Sequence, residues 1–195
     1  RELRMSRGLG DVYKRQSVMF EIKPMSPEIY RQQTRRSTFY IALTFVVLAL
    51  LVSGLAVMML GVAGGDNFSL NLAGVIVALI APLLLVRYRF WSQPWMAPAV
   101  YGWQLKRSLM KVTNVMHHVT AGVMAGDVAA MKLLRFYHLG VTQMYQLDAN
   151  TSALSQMLRE IDLHKARLEA LGIETEQTRL DPAWIDAVKQ FAPLK

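Results

Sequence analysis

The chain has 195 residues, of which 53% are hydrophobic and 18% charged, a balance typical of membrane proteins. It contains no cysteine, which excludes disulfides, a thiol nucleophile and thiolate metal sites. The formal net charge of +8 is compatible with nucleic-acid binding, so the distribution of the charges along the chain has to be considered.

Residues 1–16 include the segment Asp11–Gln16, which is similar to a translated adaptor sequence left by library preparation. We predict that this stretch is an artefact and that the natural chain begins between Ser17 and Met25. Removing its five Lys or Arg and two Asp or Glu lowers the formal net charge from +8 to +5. The alternative is a genuine basic terminus. Residues 17–36 then form a cytoplasmic N-terminal segment.

Two uncharged apolar runs predict transmembrane helices over residues 37–63 and 70–86, joined by an external turn at residues 64–69. About 20 apolar residues cross the hydrocarbon core of a bilayer as a helix. The first run is too long for a signal peptide, the alternative suggested by small residues near its end. The second contains Pro82, and its alternative is a buried core helix.

The flanking charges predict the orientation of this hairpin. Arg35 and Arg36 precede the first run, Arg87 and Arg89 follow the second, and the turn carries only Asp66. Short loops rich in Lys and Arg stay on the cytoplasmic side, so both termini are predicted to be cytoplasmic. Trp91 and Trp95 follow the second run, where aromatic residues tend to anchor at headgroups.

Residues 87–195 show helical periodicity and predict a cytoplasmic antiparallel helical bundle. An apolar seam with coiled-coil spacing runs along the predicted first helix of the bundle, which is expected to be uninterrupted. Its members are Leu105, Leu109, Val112, Met116, Val119 and Val123. A second helix repeats the pattern with Ala130, Leu134, Tyr137, Val141 and Met144. Because each seam is narrow, we expect the bundle to complete its core through a second copy or another protein.

The ends of the later helices are marked by their capping residues. Gly126 followed by Asp127 predicts a C-cap and then an N-cap, and Thr151 is the predicted N-cap of the third helix. Gly172 closes that helix. Asp181 followed by proline predicts the start of a short last helix.

The histidines carry no recognisable catalytic or metal-binding spacing. His117 and His118 are adjacent, about 100° apart around a helix, and cannot chelate one ion. His164 is predicted on a solvated charged face because Lys165 and Arg167 follow it, and His138 is a candidate helix-contact residue. No nucleotide-binding or hydrolase motif occurs. We predict no catalytic, cofactor or metal site.

Nucleic-acid binding and transport are also disfavoured. From Arg87 onward thirteen Lys or Arg face nine Asp or Glu, without a binding motif. The basic residues Lys106, Arg107 and Lys111 lie near the second run and are expected to meet anionic headgroups. The predicted spans contain no charged residue of the kind that lines transport pathways.

Two stretches resemble a known family. Phe136–Gly140, continuing at Tyr145–Thr151, and Asn71–Val75 in the second run are similar to the bacterial domain of unknown function 3087 family. The resemblance covers roughly Met25 to Gly172. It implies an uncharacterised inner-membrane protein of Gram-negative bacteria and brings no activity, cofactor or catalytic residue.

The predicted fold is an all-α membrane protein, a two-helix transmembrane hairpin followed by a cytoplasmic antiparallel helical bundle. The leading functional hypothesis is a non-enzymatic inner-membrane protein that presents a helical protein-interaction module. The candidate packing or partner residues are Leu109, Val112, Met116, Tyr137 and Val141. The alternative is an accessory subunit of a transport or envelope-assembly complex that acts through its spans, where Gly74 and Ala78 have the small-residue spacing of membrane helix contacts. The expected partners are the lipid bilayer and a second copy or another protein.

Overall fold

The computed structural model describes residues 18–60, 66 and 68–192, and these residues are mostly helical. They divide into two units. Of the described residues, the long-helix unit comprises those between 28 and 101, and the C-terminal unit comprises residues 102–192 together with residues 18–27. Helix α3, Ala97–Thr113, runs from the first unit into the second.

The long-helix unit contains α1, Pro27–Leu60, and α2, Phe68–Leu85. Both helices are long and apolar enough to cross a membrane. Two residues predicted in the turn, Phe68 and Ser69, instead begin α2, because the Asp66 carboxylate accepts a hydrogen bond from the Phe68 amide at 2.9 Å. Residues 61–65 and 67, the rest of the predicted turn and the end of the first span, lie outside the described residues.

The chain continues from α2 as a π-helical turn, Val86–Phe90, and a 3₁₀ turn, Pro94–Met96. The Trp91 amide donates to the Val86 carbonyl at 2.9 Å, which is the five-residue hydrogen bond of a π turn. Pro82 lies inside α2, in agreement with the prediction of a helix that contains this proline.

Helix α1 contacts both α2 and the segment after it. A Cβ atom on Gly74 would lie 3.1 Å from the Ser53 Cα, so the two backbones approach closely there. The Ser37 hydroxyl donates to the Trp95 carbonyl at 2.8 Å, and the Trp95 ring meets Tyr40 edge-on with 5.8 Å between centroids. Trp95, predicted as a headgroup anchor, is therefore also a packing residue of this unit.

The C-terminal unit is built around α5, Val128–Leu147. Helices α4, Met116–Met124, α6, Thr151–Ala170, and α7, Pro182–Val188, all contact it. The core combines buried side chains from every one of these helices and from the end of α3. Its members are Val112, Val119, Val123, Ala130, Met131, Leu133, Phe136, Leu168, Leu180 and Val188.

The described residues are mostly helical, as predicted, and they include one short strand pair that the sequence did not predict. Strand β1, Phe20–Glu21, pairs antiparallel with strand β2, Arg179–Leu180. Residues 18–27 therefore group with the C-terminal unit, while residues 28–36 of the predicted N-terminal segment belong to the long-helix unit. A strand of two residues is too short to show alternating hydrophobicity, which is the signal that predicts strands.

The predicted first helix of the bundle is interrupted. Helix α3 ends at Thr113 and α4 begins at Met116, with Val115 between them at φ −114° and ψ 13°. The Val115 amide donates to Val112 at 3.0 Å, three residues back rather than four. The β-branched residues here weaken helical preference, while the apolar spacing continues across the break and hides it.

The predicted caps are confirmed at four helix ends. Gly126 and Gly172 adopt φ of 81° and 66°, the left-handed conformation that ends a helix. The Asp127 carboxylate accepts from the Ala130 amide at 2.7 Å, and the Asp181 carboxylate accepts from Ala183 at 2.9 Å. The predicted Thr151 cap is wrong.

The residue that caps α6 is Asn150, one position earlier than predicted. Its side-chain oxygen accepts from the Ala153 amide at 3.2 Å, and Thr151 is the first helical residue. Both residue types cap helices well, so the sequence could not decide between neighbours. The preceding Ala149 adopts φ 56°, which turns the chain between α5 and α6.

At Gly122, α4 closely approaches the start of α5. An added Cβ would lie 2.7 Å from the Ala130 Cβ, an atom that moves only with its backbone, and 3.0 Å from the Phe191 ring. We therefore expect Gly122→Ala to lower the free energy of unfolding by about 1–3 kcal/mol, although alanine favours helices. Thermal unfolding of the full chain in lipid nanodiscs, followed by circular dichroism, measures the change.

The matched control is Gly54→Ala, since no atom lies within 4 Å of a Cβ added at Gly54. The double variant Gly122→Ala/Ala130→Gly should recover part of the loss by removing the shorter contact. A Gly122→Ala protein as stable as the parent would contradict the close packing.

Candidate functional site: a groove above a buried histidine pair

The three-residue connection Asp148–Asn150 folds α6 back antiparallel along α5. This pairing brings together two histidines that are far apart in sequence. The rings of His138 on α5 and His164 on α6 meet edge-on, with 5.3 Å between centroids and 82° between planes. Above the pair, the two helices form an open groove.

His138 is fully buried at the centre of this arrangement. Neither ring nitrogen has a hydrogen-bond partner among the described residues, and Glu160 Oε1 lies 3.5 Å from Nε2, too far for a good hydrogen bond. Burial, with the neighbouring His164 and Arg135, lowers the pKa of His138 to about 4. The imidazole is therefore neutral at physiological pH, as a helix-contact residue in the interior.

His164 contradicts its predicted place on a solvated face. It is buried, and its Nε2 lies 3.0 Å from the Met131 carbonyl, to which it donates as a neutral ring. Burial lowers the pKa of His164, while this hydrogen bond opposes the shift. Lys165 is exposed because successive helical residues point about 100° apart, so it does not report the direction of His164.

Arg135 is a buried charge that sequence reasoning missed. Its Nε donates to the Thr175 carbonyl at 2.8 Å, which ties α5 to the loop after α6. Burial lowers the pKa of Arg135, with Glu176 and Glu169 acting in the opposite direction. The guanidinium remains charged, since arginine does not lose its proton in proteins. Only its position three residues before His138, on the same face of α5, hinted at a cluster.

The groove has a volume of about 440 Å³ and mixed chemistry. It is lined by Leu134 on α5 and by a stripe of α6 at helical spacing, consisting of Gln156, Arg159, Glu160, Leu163, His164 and Arg167. Leu163 is an exposed apolar side chain between charged ones. An apolar contact with charges of both signs around it is typical of a protein-recognition surface.

Of the five interaction residues predicted from the sequence, three are buried in the interior of the C-terminal unit. Leu109, Val112 and Val141 are buried, and the Leu109 side chain occupies the space that a Cβ on Gly140 would enter, at 2.7 Å. Met116 and Tyr137 are half-buried and pack against the same core as Val112. The seam residues therefore act as packing residues in this structure, and the first three offer no exposed surface to a partner.

Across the part of the chain that the structure describes, no group of three or more His, Asp or Glu side chains is arranged to hold an ion. The two histidines instead form a neutral, largely desolvated contact between helices.

The buried pair predicts a pH dependence of stability. Folding lowers the pKa of His138 from 6.5 to about 4, so between these values the unfolded chain binds more protons. Stability is therefore complete above pH 6.5 and falls as the pH is lowered towards 4, by roughly 3 kcal/mol at most for this group. His164 shifts in the same direction. Thermal unfolding midpoints in nanodiscs between pH 7.5 and 4 measure the fall.

His138→Leu should flatten this dependence without destabilising the protein at pH 7.5, because it removes two unsatisfied buried nitrogens. His117→Leu is the control, since His117 is exposed. An unchanged pH dependence in His138→Leu would contradict the role of this residue.

Comparisons with known proteins agree with the resemblance in the sequence. The family model described as "Protein of unknown function (DUF3087)" matches residues 20–185. The match begins in strand β1 and ends in α7, so it is wider than the resemblance and includes the strand pair. No curated protein and no solved structure matches the chain. The chain belongs to the DUF3087 family of proteins of unknown function.

Proposed function

We propose that this protein is a non-enzymatic anchor in the bacterial inner membrane, with α1 and α2 as a transmembrane hairpin, both termini cytoplasmic, and the C-terminal unit as a helical interaction module. The observation that carries the proposal is the apolar surface of α1 and α2. Met58 is 85% exposed and Leu83 is 70% exposed, and they belong to long apolar helix surfaces. Such surfaces are too large to stay in water and fit a lipid environment.

The low burial of the two helices supports membrane spans over the alternative of a soluble core helix. In α1, 0% of the most apolar stretch of 18 residues is buried. In α2 and the π turn that follows it, 18% of the corresponding stretch is buried. A soluble core helix would be mostly buried. The uncharged part of α1, residues 37–60, is longer than the roughly 7–15 apolar residues of a signal peptide. Both features favour spans.

Accessibility of introduced cysteines tests the orientation, because the natural chain has none. In intact spheroplasts, a membrane-impermeant maleimide should label Asp66→Cys, whose native residue is exposed between the spans. Lys189→Cys, in the C-terminal unit, should react only after lysis. The basic flanks of the spans are the physical reason.

The opposite labelling pattern would invert the orientation, and labelling of both positions in intact spheroplasts would contradict the hairpin. A Val112→Cys variant provides the control for nonspecific unfolding, since this buried position should stay unreactive in both preparations.

We infer that a partner of the interaction module binds in the α5–α6 groove rather than at the apolar seam of the first bundle helix. Arg159 and Glu160 are adjacent on α6, beside the exposed Leu163. A surface with neighbouring opposite charges and an apolar residue is self-complementary when a second copy meets it about a two-fold axis. Self-association through this groove is therefore the first expectation.

Photo-crosslinking in native membranes tests this surface. A photo-reactive residue at Leu163 should give a product of twice the monomer mass, whereas the buried Val112 position should give none. Leu163→Glu should reduce association at least ten-fold by placing a charge in the contact, and this loss is read from a crosslink at Gln156. Met124→Glu, another exposed apolar position, is the matched control.

Exchange of the charges at residues 159 and 160 tests the two-fold contact further. Arg159→Glu and Glu160→Arg should each weaken a two-fold contact, and the double exchange should restore it. A heterologous product at Leu163 would replace the second copy by another protein, and the absence of any product would contradict binding in the groove.

The alternative, an accessory subunit that acts through its spans, depends on small residues free to meet another helix. Gly74 faces the Ser53 backbone and Ala78 is buried within the long-helix unit. These two positions are occupied by contacts inside the chain, which favours the interaction module over the alternative.

A further inference from the structure

The outward face of α3 has a composition unlike that of an ordinary soluble helix. Opposite the buried Leu105, Leu109 and Val112, the residues Trp103, Arg107 and Met110 follow one another at steps of four and three. Such steps align side chains along one side of a helix. Trp103 is 47% exposed and Met110 is 62% exposed, so two large apolar groups lie in the open beside positive charge.

The charges of this face have one sign. The Arg107 guanidinium lies over the Trp103 ring at 4.9 Å, and Lys111 is exposed one residue after Met110. Lys106 is neutralised by Asp148 at 2.8 Å, so Arg107 and Lys111 supply the positive charge. Helix α3 itself contains no acidic residue.

We propose that the outward face of α3, formed by Trp103, Arg107, Met110 and Lys111, binds anionic phospholipid headgroups of the membrane in which the protein is anchored. Trp and Met side chains enter the interfacial layer, while Arg and Lys contact phosphates. The proposal rests on the membrane anchoring proposed above, since α3 begins at Ala97, soon after the second apolar helix and its π turn end at Phe90.

A protein partner is a less fitting occupant of this face. Protein interfaces pair a positive patch with a negative patch on the partner, and the α5–α6 groove of this chain carries both signs beside an apolar residue. The α3 face carries positive charge alone, which complements a surface of uniform negative charge. Its continuity along the chain with a candidate span supplies the second argument for lipid.

A fluorescent label reports contact of this face with lipid. The full chain carrying Asn114→Cys, an exposed position at the end of the same face, is labelled with an environment-sensitive dye and placed in nanodiscs. One set contains phosphatidylcholine alone and the other adds phosphatidylglycerol. Headgroup-level spin-labelled lipid should quench the dye in the anionic discs and much less in the zwitterionic ones, and added salt should weaken the quenching.

Arg107→Gln/Lys111→Gln should lower the ratio of docked to undocked label by about 30-fold, the effect expected of two basic residues at an anionic surface. The matched control Lys165→Gln/Lys189→Gln removes two exposed charges from α6 and the chain end and should leave quenching unchanged. Circular dichroism of each variant verifies that the helices are retained.

A second label at Leu50→Cys in α1 separates this inference from the membrane proposal. If lipid shields the Leu50 label but the Asn114 label stays unquenched in both disc types, lipid binding by α3 is overturned while the membrane anchoring stands. Equal quenching of Asn114 in both disc types would overturn recognition of anionic headgroups. A Leu50 label exposed to water would overturn the membrane anchoring itself.

Discussion

The packing of α5 is the constraint on which the C-terminal unit depends. Helices from both sides of it in sequence, and strand β2, meet its surface. Leu133 and Phe136 are fully buried there, and deletion of such side chains usually lowers stability by 2–5 kcal/mol. Because α5 is covered on so many sides, its polar residues His138 and Arg135 are carried into the interior with it.

The two units use the same residue types under opposite constraints. In the C-terminal unit, the core leucine and valine side chains, such as Leu133 and Val112, are covered by neighbouring elements, and most charged side chains lie on the surface, with the buried Arg135 as an exception. In the long-helix unit, most leucine and methionine side chains of α1 and α2 are exposed, and the contact between these two helices involves small residues, as at Gly74 and Ser53. This reversal is typical of helices whose solvent is lipid, where small residues permit close approach.

The spacing of the apolar residues predicted which side chains face the interior of the bundle. Leu109, Val112 and Val141 are indeed buried. It could not predict what covers them, because a seam that packs on a neighbouring helix of the same chain has the same spacing as one that binds a partner. Capping residues were predictable since a cap depends on one or two side chains, as at Asp127. Strand β1 depends on a contact between residues 158 positions apart, such as Glu21 and Arg179, and leaves no local pattern.

The buried histidines were the hardest part of the site to predict, for a related reason. The direction of a side chain on a helix is set by the neighbouring helix, and His164 turns towards Met131 although charged residues follow it. The hydrogen bonds of His164 to Met131 and of Arg135 to Thr175 join α5 to α6 and to the next loop at fixed positions. Sliding α6 along α5 would break both bonds and leave buried polar groups unsatisfied, which is unfavourable in an apolar interior. The polar groups beneath the groove thus set the alignment of Leu163 on α6 with Leu134 on α5, and with it the shape of the proposed recognition surface.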